Sequence, residues 1–229
     1  LRGKLIVIEA GDGSGKATQT KLLYESLKTE NYRVKKIEFP DYKSDSTALI
    51  KMYLNGEFGT NPSDVNPYVA STFYTVDRYA SYKKEWGDFY QNGGIILADR
   101  YTTSNMVHQA AKIINPEDRK DYLTWLWDLE FVKFGLPVPD CVIFLNMHPS
   151  YSQKLINERP NKSGEKEKDI HERNYEYLVK SYYNACEIMD SYGWLKVNCV
   201  SEGQLRSREE IHEDIYKLVK ELVGQEGKA

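Results

Sequence analysis

The residues best suited to do chemistry stand near the start of the chain, where Gly11-Asp12-Gly13-Ser14-Gly15-Lys16 follows the apolar run Leu5-Ile6-Val7-Ile8 and Glu9. Glycines let successive backbone N–H groups turn toward phosphate oxygens. A helix opening at Lys16 adds partial positive charge at its first turn, and the lysine adds a full one. Strand, loop and helix in that order make a phosphate cradle; without that setting the same residues would be a glycine-rich turn with a surface lysine. Asp12, Gly13, Ser14, Gly15, Lys16, Ala17 and Thr18 are therefore candidates for binding the phosphates of ATP. The match to G-x-x-x-x-G-K-[ST] departs at both ends, with Ala10 in the first glycine position and Ala17 in the hydroxyl position. The second departure bears on magnesium, which a serine or threonine there normally meets. Thr18 comes one residue late, and successive helical residues point about 100° apart, so its hydroxyl is not expected to take over. The ion is expected on nucleotide oxygens, water and a carboxylate.

A second phosphate-handling group is Asp99-Arg100-Tyr101, directly after the apolar run Gly94-Ile95-Ile96-Leu97-Ala98. The carboxyl end of a strand is where open α/β sheets bind ligands. Asp99 is the candidate for orienting magnesium, and Arg100 for clamping phosphate through its planar fork. The plain alternative is a helix-capping carboxylate beside an arginine in a structural ion pair. Tyr74 and Arg78, four residues apart, share a face of an expected helix, as an aromatic ring for a base and a cation for a monophosphate would require. Spacing alone fits equally well a core aromatic beside a surface charge.

The elements that must position these residues alternate. Strands are expected at Leu5–Ile8, Arg33–Glu38, Gly94–Ala98, Cys141–Leu145 and Trp194–Val200. Helices are expected at Lys16–Glu30, Asn66–Asn92 with an early break, Thr103–Ile114, Pro116–Phe134, His171–Tyr192 and Arg208–Val223. Such alternation predicts an α/β fold, a five-stranded parallel sheet with helices on both faces, in one domain over residues 1–229. The mixed-charge stretch from Glu158 to Asp169 is the most loop-like segment and the place for a short lid, about 158–170.

With 41% hydrophobic and 28% charged residues the chain is expected to fold throughout, and a net charge of -3 argues against a nucleic-acid partner. Cys141, Cys186 and Cys199 are odd in number and widely spaced, which predicts buried reduced thiols rather than disulfides or a metal site. Neither a signal peptide in Leu1–Ala10 nor a membrane-length apolar run is visible, so a cytoplasmic location is expected.

Taken together, the chain resembles the thymidylate kinase family over nearly its whole length. Ile8 to Gln19 resembles that family's first strand and P-loop, Phe39-Pro40 the end of its second strand, and Phe73-Tyr74-Thr75-Val76-Asp77-Arg78 its acceptor-binding helix. Asp99-Arg100-Tyr101-Thr102-Thr103-Ser104-Asn105 resembles its third-strand signature, and Gly135 to Asp140 its entry into the fourth strand. The resemblance implies transfer of the ATP γ-phosphate to dTMP with Mg2+, in a homodimer. It implies Lys16 on the ATP phosphates, Asp12 near the acceptor 3′-hydroxyl, and Tyr74 stacked on thymine near Phe39. Arg78 and Arg100 would hold the acceptor phosphate, Ser104 and Asn105 the base edge, and His108 the sugar. Two departures stand out. Tyr42 occupies the position of a phosphate-binding arginine, with Lys43 beside it, and Gly13 replaces a basic residue found in some members. Members with glycine there carry catalytic cations in the lid, which makes Arg159 the lid candidate, ahead of Lys162, Lys166 and Lys168. The rival readings are a kinase for another nucleoside monophosphate, a deoxynucleoside kinase using Glu9 or Asp99 as base, and a nucleotide-binding regulator that has lost catalysis.

Overall fold

The computed structural model describes residues 2–157, 170–171 and 174–224. The expected lid therefore lies, apart from Ile170 at its end, outside the described residues, and Arg159 with it. The expected sheet is present. Its strands are β1 (Lys4–Glu9), β2 (Val34–Glu38), β3 (Ile95–Asp99), β4 (Cys141–Asn146) and β5 (Leu195–Asn198), all parallel and ordered β2-β3-β1-β4-β5. The inner strands are buried almost throughout, as continuous apolar runs in a sheet covered on both faces must be, while edge strands β2 and β5 carry exposed residues.

Alternation along β1 divides the core. Ile6 and Ile8 pack with Leu23 and Leu27 of α1 (Lys16–Thr29), and also with Ile211, Ile215 and Val219 of the C-terminal helix over Arg208–Val223. Leu5 and Val7 face the other way, onto Trp86, Tyr90, Ile96 and Tyr101. Each buried Leu or Ile side chain here contributes about 1.5–3 kcal/mol, so the strand that leads into the glycine loop is held from both sides.

Several helices differ from the expected ones in ways that matter for the site. A helix over Ala48–Leu54, α2, was not anticipated. The long helix expected from Asn66 starts as α3 (Pro67–Ser81), capped by Asn66, passes through a π-turn at Tyr82–Trp86 and ends as α4 (Gly87–Gln91). After β3 come α5 (Thr102–His108) and α6 (Pro116–Trp127), and α6 runs into a second π-turn at Asp128–Lys133. The wider turn holds Glu130, which is 0% exposed. Beyond β4 lie α7 (Pro149–Asn157), also unanticipated, and α8 (Tyr175–Tyr192). The last strand is shorter than expected, because Val200–Ser201 and Gln204–Leu205 form a small hairpin of their own, β6 and β7. Glu202 and Gly203 at its tip both have positive φ, the backbone of a tight hairpin turn. The C-terminal helix, α9, then begins in a capping box between Ser207 and Glu210.

Of the three cysteines, all free thiols, only Cys199 is fully buried; Cys141 and Cys186 are half-buried. Burial pushes the Cys141 thiol up to about 11 and Cys199 to about 12, so both are inert at neutral pH. No helix among the described residues is long and apolar enough to cross a membrane.

Candidate active site

β1 lies between β3 and β4, so strand order reverses beside it and the carboxyl ends of β1 and β3 open one crevice. Glu9 and the glycine loop leave β1 there, and Asp99 pairs in register with Ile8 across the gap. Within the loop Gly13 and Gly15 sit at φ 76° and 85°, a region that side chains resist, and a methyl group on Gly15 would meet nothing within 4 Å. Backbone conformation, rather than space, is what requires glycine there. The Lys16 ammonium donates to the Ala10 and Gly11 carbonyls at 2.9 and 3.0 Å. Burial lowers its pKa, with Arg100 adding to the effect and Asp12, Asp99 and Glu9 opposing it.

Arg100 is the second pivot. It is a non-glycine residue at φ 69°, a conformation that costs on the order of 1–3 kcal/mol and persists only where its surroundings impose it. Its guanidinium reaches back to the glycine loop, pairing with Asp12. It also donates to Ser104 Oγ at 3.2 Å and His108 Nε2 at 3.0 Å, and lies 3.7 Å from Glu9. Burial opposes its charge, but Asp12, Glu9 and Asp99 outweigh burial and raise its pKa. Glu9 itself is saturated: it accepts from the Ala10 N–H at 2.9 Å and from the hydroxyls of Thr103 and Ser104 at 2.7 Å each. With Arg100 donating to its Nε2, His108 is a neutral imidazole, and burial together with Arg100 holds its pKa well below the usual range.

Arg78 behaves differently. Only 1% exposed, it spends its fork on Glu130, with Nε at 2.7 Å and a second short bond from NH2, while NH1 reaches the Tyr101 carbonyl at 3.4 Å. Its charge is matched inside the protein, and it belongs to a cluster with Thr75, Thr102 and Asn105 that is distinct from the Arg100 cluster beside the loop. Arg100 keeps 17% exposure, whereas Arg78 keeps 1%.

One cavity collects every residue expected around the acceptor: Asp12, Phe39, Tyr74, Arg78, Arg100, Ser104, Asn105 and His108. Tyr42 lines it too, and Lys43 does not. Asp77 on α3 ties the loop after β2 into place, accepting from Ser46 Oγ at 2.6 Å and the Asp41 N–H at 3.1 Å. His171 was missed by the sequence reading; it lines the same cavity through a Lys112–Tyr53–His171 hydrogen-bond chain, at 2.8 and 2.9 Å. Beside this cavity an open cleft runs over Gly13, Ser14, Gly15, Thr18 and Gln19 to Arg206, Ser207 and Arg208, which the β6–β7 hairpin delivers. That second wall was also missed; Glu202-Gly203 was its only local signal.

For a divalent ion the protein offers little by itself: no group of three or more His, Cys, Asp or Glu side chains suited to a metal occurs among the described residues. Ala17 brings no hydroxyl and Thr18 points into the open cleft, whereas Ser14 Oγ is buried without a partner and Asp99 stands near enough to Lys16 to favour its charge. This donor set fits an ion carried mainly by nucleotide oxygens and water, with Asp99 beside it.

A sequence model of thymidylate kinase matches residues 8–215. The chain belongs to the thymidylate kinase family. Members to which it is similar include the thymidylate kinase of Plasmodium falciparum, 28% identical over 96% of this chain and 91% of that one. A probable thymidylate kinase of Pyrococcus horikoshii is 29% identical over 98% and 100%. Among solved structures, thymidylate kinase from Candida albicans superposes with a TM-score of 0.69 at 22% identity, over 96% of this chain and 92% of that one, which supports the fold.

Proposed function

We propose that this thymidylate kinase family member transfers the γ-phosphate of ATP to the 5′-phosphate of dTMP. The observation that carries the reading is the pairing of Arg100 with Asp12 of the glycine loop on the wall of a cavity that also gathers Phe39, Tyr74, Arg78 and Asn105, with Lys16 of the same loop near enough to feel the charge of Arg100. The acceptor oxygen is already anionic, so no strong base is required, and positioning with charge neutralisation does the work. Lys16 and the loop N–H groups hold the ATP phosphates, and Arg100 holds the acceptor phosphate beside Asp12. Phe39 and Tyr74 enclose the base, and Asn105 with Arg78 meets its polar edge, while Ser104 and His108 keep Arg100 aimed. Asp99 would help hold a magnesium ion, which would supply positive charge to the phosphates. Arg159 is the lid cation of this reading. A homodimer is part of it as well: α3 leaves Val69, Val76 and Tyr79 exposed.

A deoxynucleoside kinase needs a carboxylate to take a hydroxyl proton. Of the two candidates, Glu9 and Asp99, Glu9 is saturated and this reading gives Asp99 to the magnesium ion, which favours the monophosphate acceptor. Initial rates of ADP formation with thymidine, dTMP and the other nucleoside monophosphates decide between them. Turnover with dTMP is expected; turnover with thymidine alone, or ATP binding without turnover for any acceptor, overturns the reading.

A further inference from the structure

Glu130 does not itself line the acceptor cavity but stands behind two residues that do, Arg78 and Asn105. At 0% exposure it receives Arg78 Nε at 2.7 Å and Arg78 NH2, Thr102 Oγ1 at 2.6 Å, Thr75 Oγ1 at 3.0 Å and, more distantly, Asn105 Nδ2 at 3.5 Å. It thereby fastens α3, the start of α5 and the π-turn after α6 to one carboxylate. An ionised carboxylate only accepts hydrogen bonds. Every group facing Glu130 must therefore turn a donor toward it, and the consequence falls on Asn105. Its amide nitrogen is directed at Glu130 and at the Ser71 carbonyl, 3.4 Å away, which leaves its Oδ1 as the face available to a ligand. Arg78 is fixed in the same way, and both residues line the cavity.

We propose that Glu130 is a positioning residue that sets base selectivity: by fixing the amide of Asn105 and the fork of Arg78, it presents an acceptor and a donor together and so admits 4-oxo pyrimidines over 4-amino pyrimidines. A thymine or uracil ring offers N3–H to the Asn105 oxygen and its 4-oxo group to Arg78. A cytosine ring carries an acceptor at N3 and a donor at position 4, so both contacts are mismatched, and unpaired buried polar groups are what make such mismatches costly. The inference rests on the proposed dTMP reading, since it assigns the source of selectivity within the same cavity.

Two variants test it, each measured with dTMP and dCMP as acceptors. Glu130→Gln places an N–H2 group where only acceptors stood, which frees the Asn105 amide to turn over. The ratio of kcat/KM for dTMP over dCMP is expected to fall at least about tenfold, with KM for ATP unchanged. Glu130→Asp keeps the acceptor-only character but draws it back by one methylene. It is expected to retain the preference for dTMP while raising KM for dTMP roughly tenfold. A purely structural role would lower the melting temperature in both variants and leave selectivity and acceptor KM unmoved; that outcome overturns the proposal. Should Glu130→Gln not fold, an unchanged KM for dTMP in folded Glu130→Asp overturns it as well. Wild-type protein that turns over dTMP while Glu130→Gln keeps its selectivity sinks this inference alone, whereas wild-type protein inactive with dTMP sinks the underlying reading too.

Discussion

The two halves of the site are built on opposite plans. On the donor side the glycine loop offers backbone N–H groups and one lysine whose described bonds are to backbone carbonyls. On the acceptor side, side chains from separate elements are bound into two knots, Arg100 with Asp12 and Glu9, and Arg78 with Glu130. The difference teaches where function and stability are coupled. A lysine hydrogen-bonded to carbonyls can be removed without leaving a buried charge behind. An arginine closed on a buried carboxylate cannot.

The largest expected effect separates the two plans directly. Arg78→Ala strands Glu130 as an unpaired carboxylate at 0% exposure, so a stability loss of about 3–5 kcal/mol is expected in denaturant unfolding at neutral pH, along with a higher KM for the acceptor. A loss below about 1 kcal/mol would mean that the pair is not what ties α3 to the π-turn. Lys16→Ala should do the reverse. Phosphoryl transfer is expected to drop by about 100- to 1000-fold, while the melting temperature stays within a few degrees, roughly what loss of two hydrogen bonds to carbonyls allows. Near-normal kcat in the folded variant would remove Lys16 from its assigned role.

The same contrast explains what was legible in the sequence. The phosphate cradle is contiguous because consecutive N–H groups must converge, so Gly11 to Lys16 could be read in place even with Ala10 and Ala17 departing from the usual pattern. The inner strands were legible for a similar reason: burial on both faces leaves unbroken apolar runs such as Ile95-Ile96-Leu97-Ala98. Glu130 was not. In Asp128-Leu129-Glu130-Phe131-Val132-Lys133 it looks like one more charge on a solvated helix, and only the π-turn and the approach of α3 turn it inward. The same holds for His171, whose place depends on Tyr53 in a helix that the local pattern did not announce. The helix expected to begin at His171 instead starts at Tyr175, capped by Asn174.

His171 also supplies the smallest effect and the most specific check on the acceptor wall. Burial, reinforced by Lys112, lowers its pKa from 6.5 to about 3, and Tyr53, Tyr177, His108, Arg100 and Asp12 complete its surroundings. The folded value is depressed, so the unfolded chain takes up the proton first. Stability supplied by keeping the ring neutral is complete above about pH 6.5 and is lost progressively as pH falls toward the folded value of about 3. At pH 5 the group lies about 1.5 units below its unfolded pKa, which corresponds to roughly 2 kcal/mol. His171→Gln keeps an acceptor for Tyr53 but does not titrate. Urea unfolding at pH 7 and pH 5 should therefore show the wild type losing about 2 kcal/mol more than the variant over that interval. Equal losses would mean that the ring is open to protons in the folded protein, and that the Lys112–Tyr53–His171 chain does not form the sealed acceptor wall that the ion-paired knots beside it would otherwise share.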